Sequence, residues 1–223
     1  MEKKLLGQGL IKYVSGVILV GLMLFLPAGT LRFPNGWLFM GLLFLPMLGA
    51  GFVMYFKNPD LLRRRLNARE KEGEQKLVLA VSALMFLAAF VLAGLNFRFQ
   101  WTVMPRWLVA LGAAVFLLSY ALYAEVLREN AYLSRTVEVQ ENQKVIDTGL
   151  YGVVRHPMYA VTVWLFLSMA LVLGSLPSLI VMLLYPALLV KRILNEEKVL
   201  EEGLAGYREY EKKVKWRLIP FIW

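Results

Sequence analysis

The chain has no cysteine and only one histidine, His156, among its 223 residues. The first absence excludes disulfide frameworks, thiolate nucleophiles, iron–sulfur ligation and cysteine zinc sites; the second excludes multi-histidine metal centres. No metal site is expected. Charge is also scarce, with 18% of residues being Asp, Glu, Lys or Arg against about 25% in an ordinary soluble domain. Hydrophobic residues make up 59% of the chain, which argues against a soluble globular enzyme. The charge that is present is lopsided, 25 Lys and Arg against 16 Asp and Glu, for a net +9.

The apolar residues are gathered into blocks of about 20, the length a helix needs to cross a bilayer. Four blocks cover residues 11–31, 37–56, 77–97 and 107–124. A fifth uncharged stretch, residues 157–190, holds 34 residues, and as one straight helix would measure about 51 Å against a hydrocarbon core of roughly 30 Å. Gly174-Ser175-Leu176-Pro177 in its middle predicts two helices, with glycine ending one and proline in the first turn of the next. The expectation is an all-α polytopic transmembrane bundle of about six spans, with a C-terminal helical hairpin and a cytoplasmic tail helix. Residues 1–127 would hold four spans, and residues 128–223 a loop, the hairpin and the tail.

Charge placement supports that count. With the N-terminus inside, only Arg32, Arg98 and Arg106 fall in outer loops, as the enrichment of Lys and Arg in cytoplasmic loops requires. Both termini then lie on the cytoplasmic side of an inner or plasma membrane. The basic excess reads as orientation and adhesion to anionic lipid rather than nucleic-acid binding, and the run Leu61-Leu62-Arg63-Arg64-Arg65-Leu66 fits a surface-lying basic segment. Trp37, Trp101 and Trp107 fall near span ends, where indoles favour the headgroup zone. The first block is too long for a cleaved signal peptide and has no clear small-residue cleavage site.

Polar residues able to do chemistry cluster at the two ends of the hairpin. Before it runs the segment from Asp147 to Tyr159, in which Pro157 suits the first helical position and leaves free N–H groups beside Arg155 and His156. Gly149 and Gly152 permit close backbone approach there. After the hairpin comes the run from Lys191 to Glu202, where Arg192 and Glu196 share a helix face and Glu197 lies about 100° round. Connectivity brings the two groups to the same membrane surface. Each also has an ordinary structural use: Arg155 and His156 as interfacial caps, Arg192 and Glu196 as a surface ion pair, and Glu201-Glu202 as a solvated face. Glu125, at the end of the fourth block, is expected to face protein or the interface, because a carboxylate in lipid is expensive.

The segment GLYGVVRHPMY, then a hairpin, then RILNEE and the closing GYREYEKKVKWRLIP stretch, resembles the isoprenylcysteine carboxyl methyltransferase and phospholipid methyltransferase families of integral membrane enzymes. The resemblance covers residues 145–223. It implies S-adenosylmethionine as methyl donor, held by Tyr151, Gly152, Arg155, His156, Tyr159, Glu196 and Glu197. It further implies catalytic roles for Arg192 and Glu196, and contacts of Arg192, Tyr207 and Tyr210 with a lipophilic or small hydrophobic acceptor. Membrane lipid is the implied partner. Many members have proline where this chain has Leu150 and glycine where it has Val161; the first departure is expected to loosen the approach loop, the second to narrow a packing face.

Methyl transfer from a sulfonium is an in-line displacement that needs alignment and dryness more than reactive side chains, which agrees with the sparse inventory. Two rival readings are a membrane NADPH-dependent sterol or steroid reductase and a non-catalytic membrane scaffold. The first would need more basic residues around the 128–155 loop for a 2′-phosphate, and only Arg135 and Lys144 lie between its ends.

Overall fold

The computed structural model describes residues 2–66, 73–130, 132–133 and 139–223. Arg135 and the side chain of Arg64 lie outside the described residues. The elements are α1 (Glu2–Ala28), α2 (Pro34–Lys57), α3 (Pro59–Leu66), α4 (Gly73–Phe99), α5 (Arg106–Glu129), α6 (Pro157–Val172), α7 (Leu176–Met182), α8 (Tyr185–Gly203) and α9 (Tyr207–Lys213), with a 3-10 turn at Gly149–Gly152 before α6. Among the described residues every regular element is helical.

Among the described residues, five stretches are long and apolar enough to cross a membrane: Lys4–Ala28, Pro34–Lys57, Leu77–Phe99, Arg106–Glu129 and, taking α7 and α8 together, Leu176–Gly203. The remaining expected span, α6, has 16 residues and is thus about 24 Å long. The long apolar stretch breaks where its glycine and proline indicate. Gly174 turns in the left-handed region at φ +69°, with Asn35 Nδ2 2.6 Å from where a Cβ would stand. Ser175 then caps α7 by accepting from Ser178 N at 3.2 Å. A second interruption was not anticipated. Pro186 has no N–H to offer the Met182 carbonyl, so α7 ends at Met182 and α8 restarts at Tyr185.

Helices packed in lipid gain little from burying apolar surface and rely on close approach. Gly94 supplies it between α4 and α1: a Cβ there would lie 2.5 Å from the Leu24 carbonyl oxygen and 2.9 Å from Ala28 N. Gly112 does the same between α5 and α6, with Leu171 Cβ 2.7 Å away. Pro46 interrupts α2. Beside it the Tyr13 and Tyr120 hydroxyls donate to the Phe44 and Leu43 carbonyls at 3.1 and 3.0 Å, tying α1 and α5 to α2.

At one end of the bundle, buried Asn96 donates to the carbonyls of Thr102 and Gly174 at 3.1 and 3.3 Å, and its Oδ1 accepts from Thr102 N and Oγ1. This fixes the α4–α5 loop against the α6–α7 turn. At the other end, α3 packs Leu61 and Leu62 inward, pairs Arg63 with Asp60 at 3.1 Å, and hydrogen-bonds Arg65 to the Tyr123 hydroxyl. Trp37, Trp101 and Trp107 are half or more exposed at the Asn96 end.

Gly94→Ala is expected to destabilise the bundle by about 1–3 kcal/mol through overpacking. Gly41, whose Cβ would meet nothing within 4 Å, should accept alanine without loss. Thermal unfolding of the two variants in detergent checks the pair.

Candidate active site

The start of α6 and the second half of α8 meet at the end of the bundle opposite Asn96. Pro157 occupies the first turn of α6, which leaves His156 as the N-cap residue and Arg155 just before it, both outside the helix. Their N–H groups donate to the carbonyls of Trp216 and Arg217 at 2.8 and 2.9 Å. The tail thus supplies acceptors that α6 has no means to supply at its own N-terminus.

Glu197 joins the three segments. Its Oε1 accepts from Arg155 Nε at 2.8 Å and from His156 Nε2 at 3.1 Å, and its Oε2 accepts from Arg217 Nε at 2.7 Å. A carboxylate only accepts, so Nε2 of His156 carries the proton. Glu197 is 3% exposed, Arg155 8% and His156 5%; the charges are buried together. Arg155 also donates to the Val214 carbonyl at 3.3 Å and approaches Glu211 at 3.7 Å. Burial pushes the Glu211 carboxyl above its ordinary range, against the pull of Arg155.

One face of α8 round, Arg192 Nε donates to the Tyr159 hydroxyl at 2.8 Å, and that hydroxyl donates to Glu196 Oε2 at 2.5 Å. An arginine can only donate and a phenol holds one proton, so the chain runs in one direction, from Arg192 through Tyr159 to Glu196. Arg192 is buried at 8% exposure, with its guanidinium 5.8 Å from the centre of the Tyr159 ring. Tyr159 therefore stands between the two residues that the surface-pair reading would join directly.

α9 covers this wall from the other side. Gly206 turns at φ +84°, and Tyr207 and Tyr210 pack inward with Leu204 and Val214. The Tyr210 hydroxyl donates to the Tyr151 carbonyl at 2.7 Å, while the Tyr151 hydroxyl accepts from Asn130 Nδ2 at 3.0 Å. Tyr207 is 4% exposed, and among the described residues its hydroxyl has no hydrogen-bond partner. Burial pushes the Tyr151, Tyr207 and Tyr210 phenols well up, with the charges of Glu197 and Glu196 adding to the effect at Tyr207, so all three stay neutral.

Between these walls lies a cleft of about 850 Å³ of empty space, its open mouth included. Tyr151, Arg155, His156, Tyr159, Arg192 and Glu196 line it, and Tyr207 and Tyr210 face them. Met158, Val199, Leu200 and Leu204 make its apolar part. Gly152 and Glu197 do not line it: Gly152 packs against the Asp147 carbonyl, and Glu197 sits behind the wall holding Arg155 and His156. Sequence reasoning missed Arg217, Asn130 and Glu129. Glu125 pairs with Arg128 at 2.6 Å on α5 and lies outside the cleft. Among the described residues no cluster of His, Asp and Glu is suited to a metal ion.

Residues 107–205 match the phospholipid methyltransferase family. The match covers 99 of the 223 residues, and is a likeness of that region to the family. The fold is also that of a solved eukaryotic intramembrane Ras methyltransferase, an isoprenylcysteine carboxyl methyltransferase; the two superpose with a TM-score of 0.53 at 18% identity, covering 92% of this chain and 74% of the other. No curated protein matches the sequence significantly. The apolar helices make this an integral membrane protein, and the cleft is built largely from the matching region.

The two departures from the family pattern take on physical meaning here. Leu150 was expected to loosen the approach loop, but its N–H donates to the Glu129 carboxylate at 3.0 Å, a bond proline lacks. Gly149, at φ +53°, leaves the space that this carboxylate fills: Glu129 Oε1 is 1.4 Å from where a Cβ would stand. The loop is latched to the end of α5. Val161 is buried in a small cluster with Val126 and Tyr151 and so fills space between α5, α6 and that loop.

Glu129→Ala is expected to release the latch and leave the bundle intact. Hydrogen exchange should speed up several-fold at the amides of residues 149–152 and remain unchanged in α4 and α6.

Proposed function

We propose that this protein is an S-adenosylmethionine-dependent methyltransferase whose active site is the cleft, acting on a lipophilic or small hydrophobic acceptor of the isoprenylcysteine-carboxylate or phospholipid-amine type. The observation that carries the reading is the unpartnered, buried Tyr207 hydroxyl facing Arg155, His156 and Glu196 across the cleft. A buried phenol without a partner costs free energy unless a ligand satisfies it.

The donor set suits a zwitterionic amino acid joined to a nucleoside. Arg155 and His156 provide positive potential for a carboxylate, Glu196 an acceptor for an ammonium, and Met158, Val199, Leu200 and Leu204 an apolar bed for a ring. S-adenosylmethionine supplies a methyl group on positively charged sulfur, already activated for displacement. The work left to the chain is binding, alignment and exclusion of water. Tyr151, Arg155, His156, Tyr159 and Glu196 serve as donor-binding groups, and Tyr207 and Tyr210 close the cleft. Gly152 shapes the approach loop, and Glu197 is a positioning residue that aims Arg155 and His156.

Arg192 and Glu196 carry the acceptor side. A carboxylate acceptor needs only the guanidinium of Arg192 to place its oxygen; an amine acceptor must lose a proton, for which Glu196 is the available base. Tyr159 bonds to both residues and keeps them in register. In this reading residues 1–127 hold the protein in the membrane and residues 128–223 carry the chemistry. The cleft end bears Arg63, Arg65, Lys212 and Lys213 while the opposite end bears Arg32, Arg98 and Arg106. The heavier basic load supports a cytoplasmic site in an inner or plasma membrane.

S-adenosylhomocysteine is expected to raise the unfolding temperature of the protein in detergent saturably, and His156→Ala should lose this effect. Tyr207→Phe, which removes only the hydroxyl, should weaken binding by about 1 kcal/mol, roughly fivefold. Stabilisation by NADPH with none by S-adenosylhomocysteine would replace the reading with a reductase, and response to neither would leave a scaffold. With labelled donor and membrane extract, Arg192→Ala should retain donor binding while turnover falls by about two orders of magnitude. Unchanged turnover would remove Arg192 from the chemistry.

A further inference from the structure

The segment that supports Arg155 and His156 ends in a feature that the cleft does not explain. After the Trp216 and Arg217 carbonyls the chain closes into a tight hook: Leu218 and Ile219 N–H donate to the Trp223 carbonyl at 2.8 and 3.0 Å, and Trp223 N–H donates to the Ile219 carbonyl at 3.1 Å. Leu218 belongs to the main apolar core of the bundle, and Trp223 packs against that core beneath the Arg217 guanidinium, 5.4 Å away. The hook is therefore fixed to the spanning helices rather than hanging in solvent. Its tip is apolar and open, with Phe221 86%, Ile222 74% and Ile219 44% exposed.

Phe221 adopts φ +66°, a left-handed conformation that glycine or asparagine adopts more readily than a bulky L-residue. Its ring pairs with that of Trp216, tilted and with centroids 5.6 Å apart, yet stays 86% exposed. Among the described residues that tilted pair is small return for so exposed a ring. The tip is anchored at its base by Leu218 and Trp223 on the core of the spanning helices and follows closely in the chain on Lys212, Lys213 and Lys215, of which Lys213 pairs with Asp147. Apolar tip, basic flank and tryptophans together match what settles into the boundary between anionic headgroups and acyl chains.

We propose that residues 219–222 insert into the bilayer interface, so that lipid as well as protein holds the segment whose carbonyls support Arg155 and His156. The absence of cysteine makes the test direct, since Phe221→Cys gives a single site for a bimane label. In nanodiscs of phosphatidylcholine and phosphatidylglycerol, that label should be quenched strongly by lipid carrying a nitroxide high on the acyl chain. Aqueous iodide should quench it several-fold less than the same label at exposed Glu209→Cys on α9. Iodide access equal to that at 209 would overturn the proposal, and shielding from both quenchers would overturn it in favour of a protein contact. A second measurement tests the coupling: in nanodiscs, Phe221→Ser with Ile222→Ser should speed hydrogen exchange at the Arg155 and His156 amides several-fold. Unchanged exchange there would show that lipid does not hold the segment. Neither readout uses a methyl donor, so both stand apart from the proposed activity.

Discussion

A carboxylate buried to the extent of Glu197 is tolerated only when its lone pairs are answered, and here the answers come from two places far apart in the sequence. Arg155 and His156 precede α6, Glu197 lies in the emergent part of α8, and Arg217 belongs to the tail. Removing Arg155, the buried guanidinium among these donors, would leave the Glu197 carboxylate short of countercharge in a dry site. The cleft inherits its shape from this constraint. With Arg155 and His156 held from behind, their remaining faces form a wall, and the helical rotation between Glu197 and Glu196 leaves the latter free to bond Tyr159 on the cleft side. One glutamate organises while its neighbour is presented.

The two ends of the bundle use different physics for one purpose. At the far end, a single buried amide, Asn96, ties the α4–α5 loop to the α6–α7 turn through neutral hydrogen bonds. Between the ends, glycines at 94 and 112 bring helix backbones close enough for dispersion to substitute for a hydrophobic driving force that lipid does not provide. At the cleft end, charge takes over. The fixed depth of α6 between a neutral clamp and an ionic one is what sets Tyr159 opposite Arg192.

Much of this was legible in the sequence. The spans are visible because twenty apolar residues have few other uses, and the Gly174–Pro177 break because glycine and proline act locally. The same logic applied to Pro186 would have found the division between α7 and α8. The meeting of Arg155-His156 with Arg192-Glu196-Glu197 follows from hairpin connectivity. Helical periodicity separated the faces of Glu196 and Glu197 but did not say which one the cleft would see. Arg217 and Glu129 were invisible for a common reason. Their partners, Glu197 and the Leu150 N–H, are respectively 20 and 21 residues away, across turns whose geometry no local pattern encodes. In a chain rich in basic residues, nothing in its immediate neighbours marks Arg217 as different.

The Glu129 latch also links two positions in evolution. A proline in place of Leu150 would offer no amide, and the carboxylate now resting on Gly149 and Leu150 would lose its donor and the reason for its placement. A substitution at either site changes the selective value of the other. Leu150 and Glu129 are thus expected to covary, and an aligned set of relatives should show carboxylate with amide-bearing residue, or neither, more often than the mixed combinations.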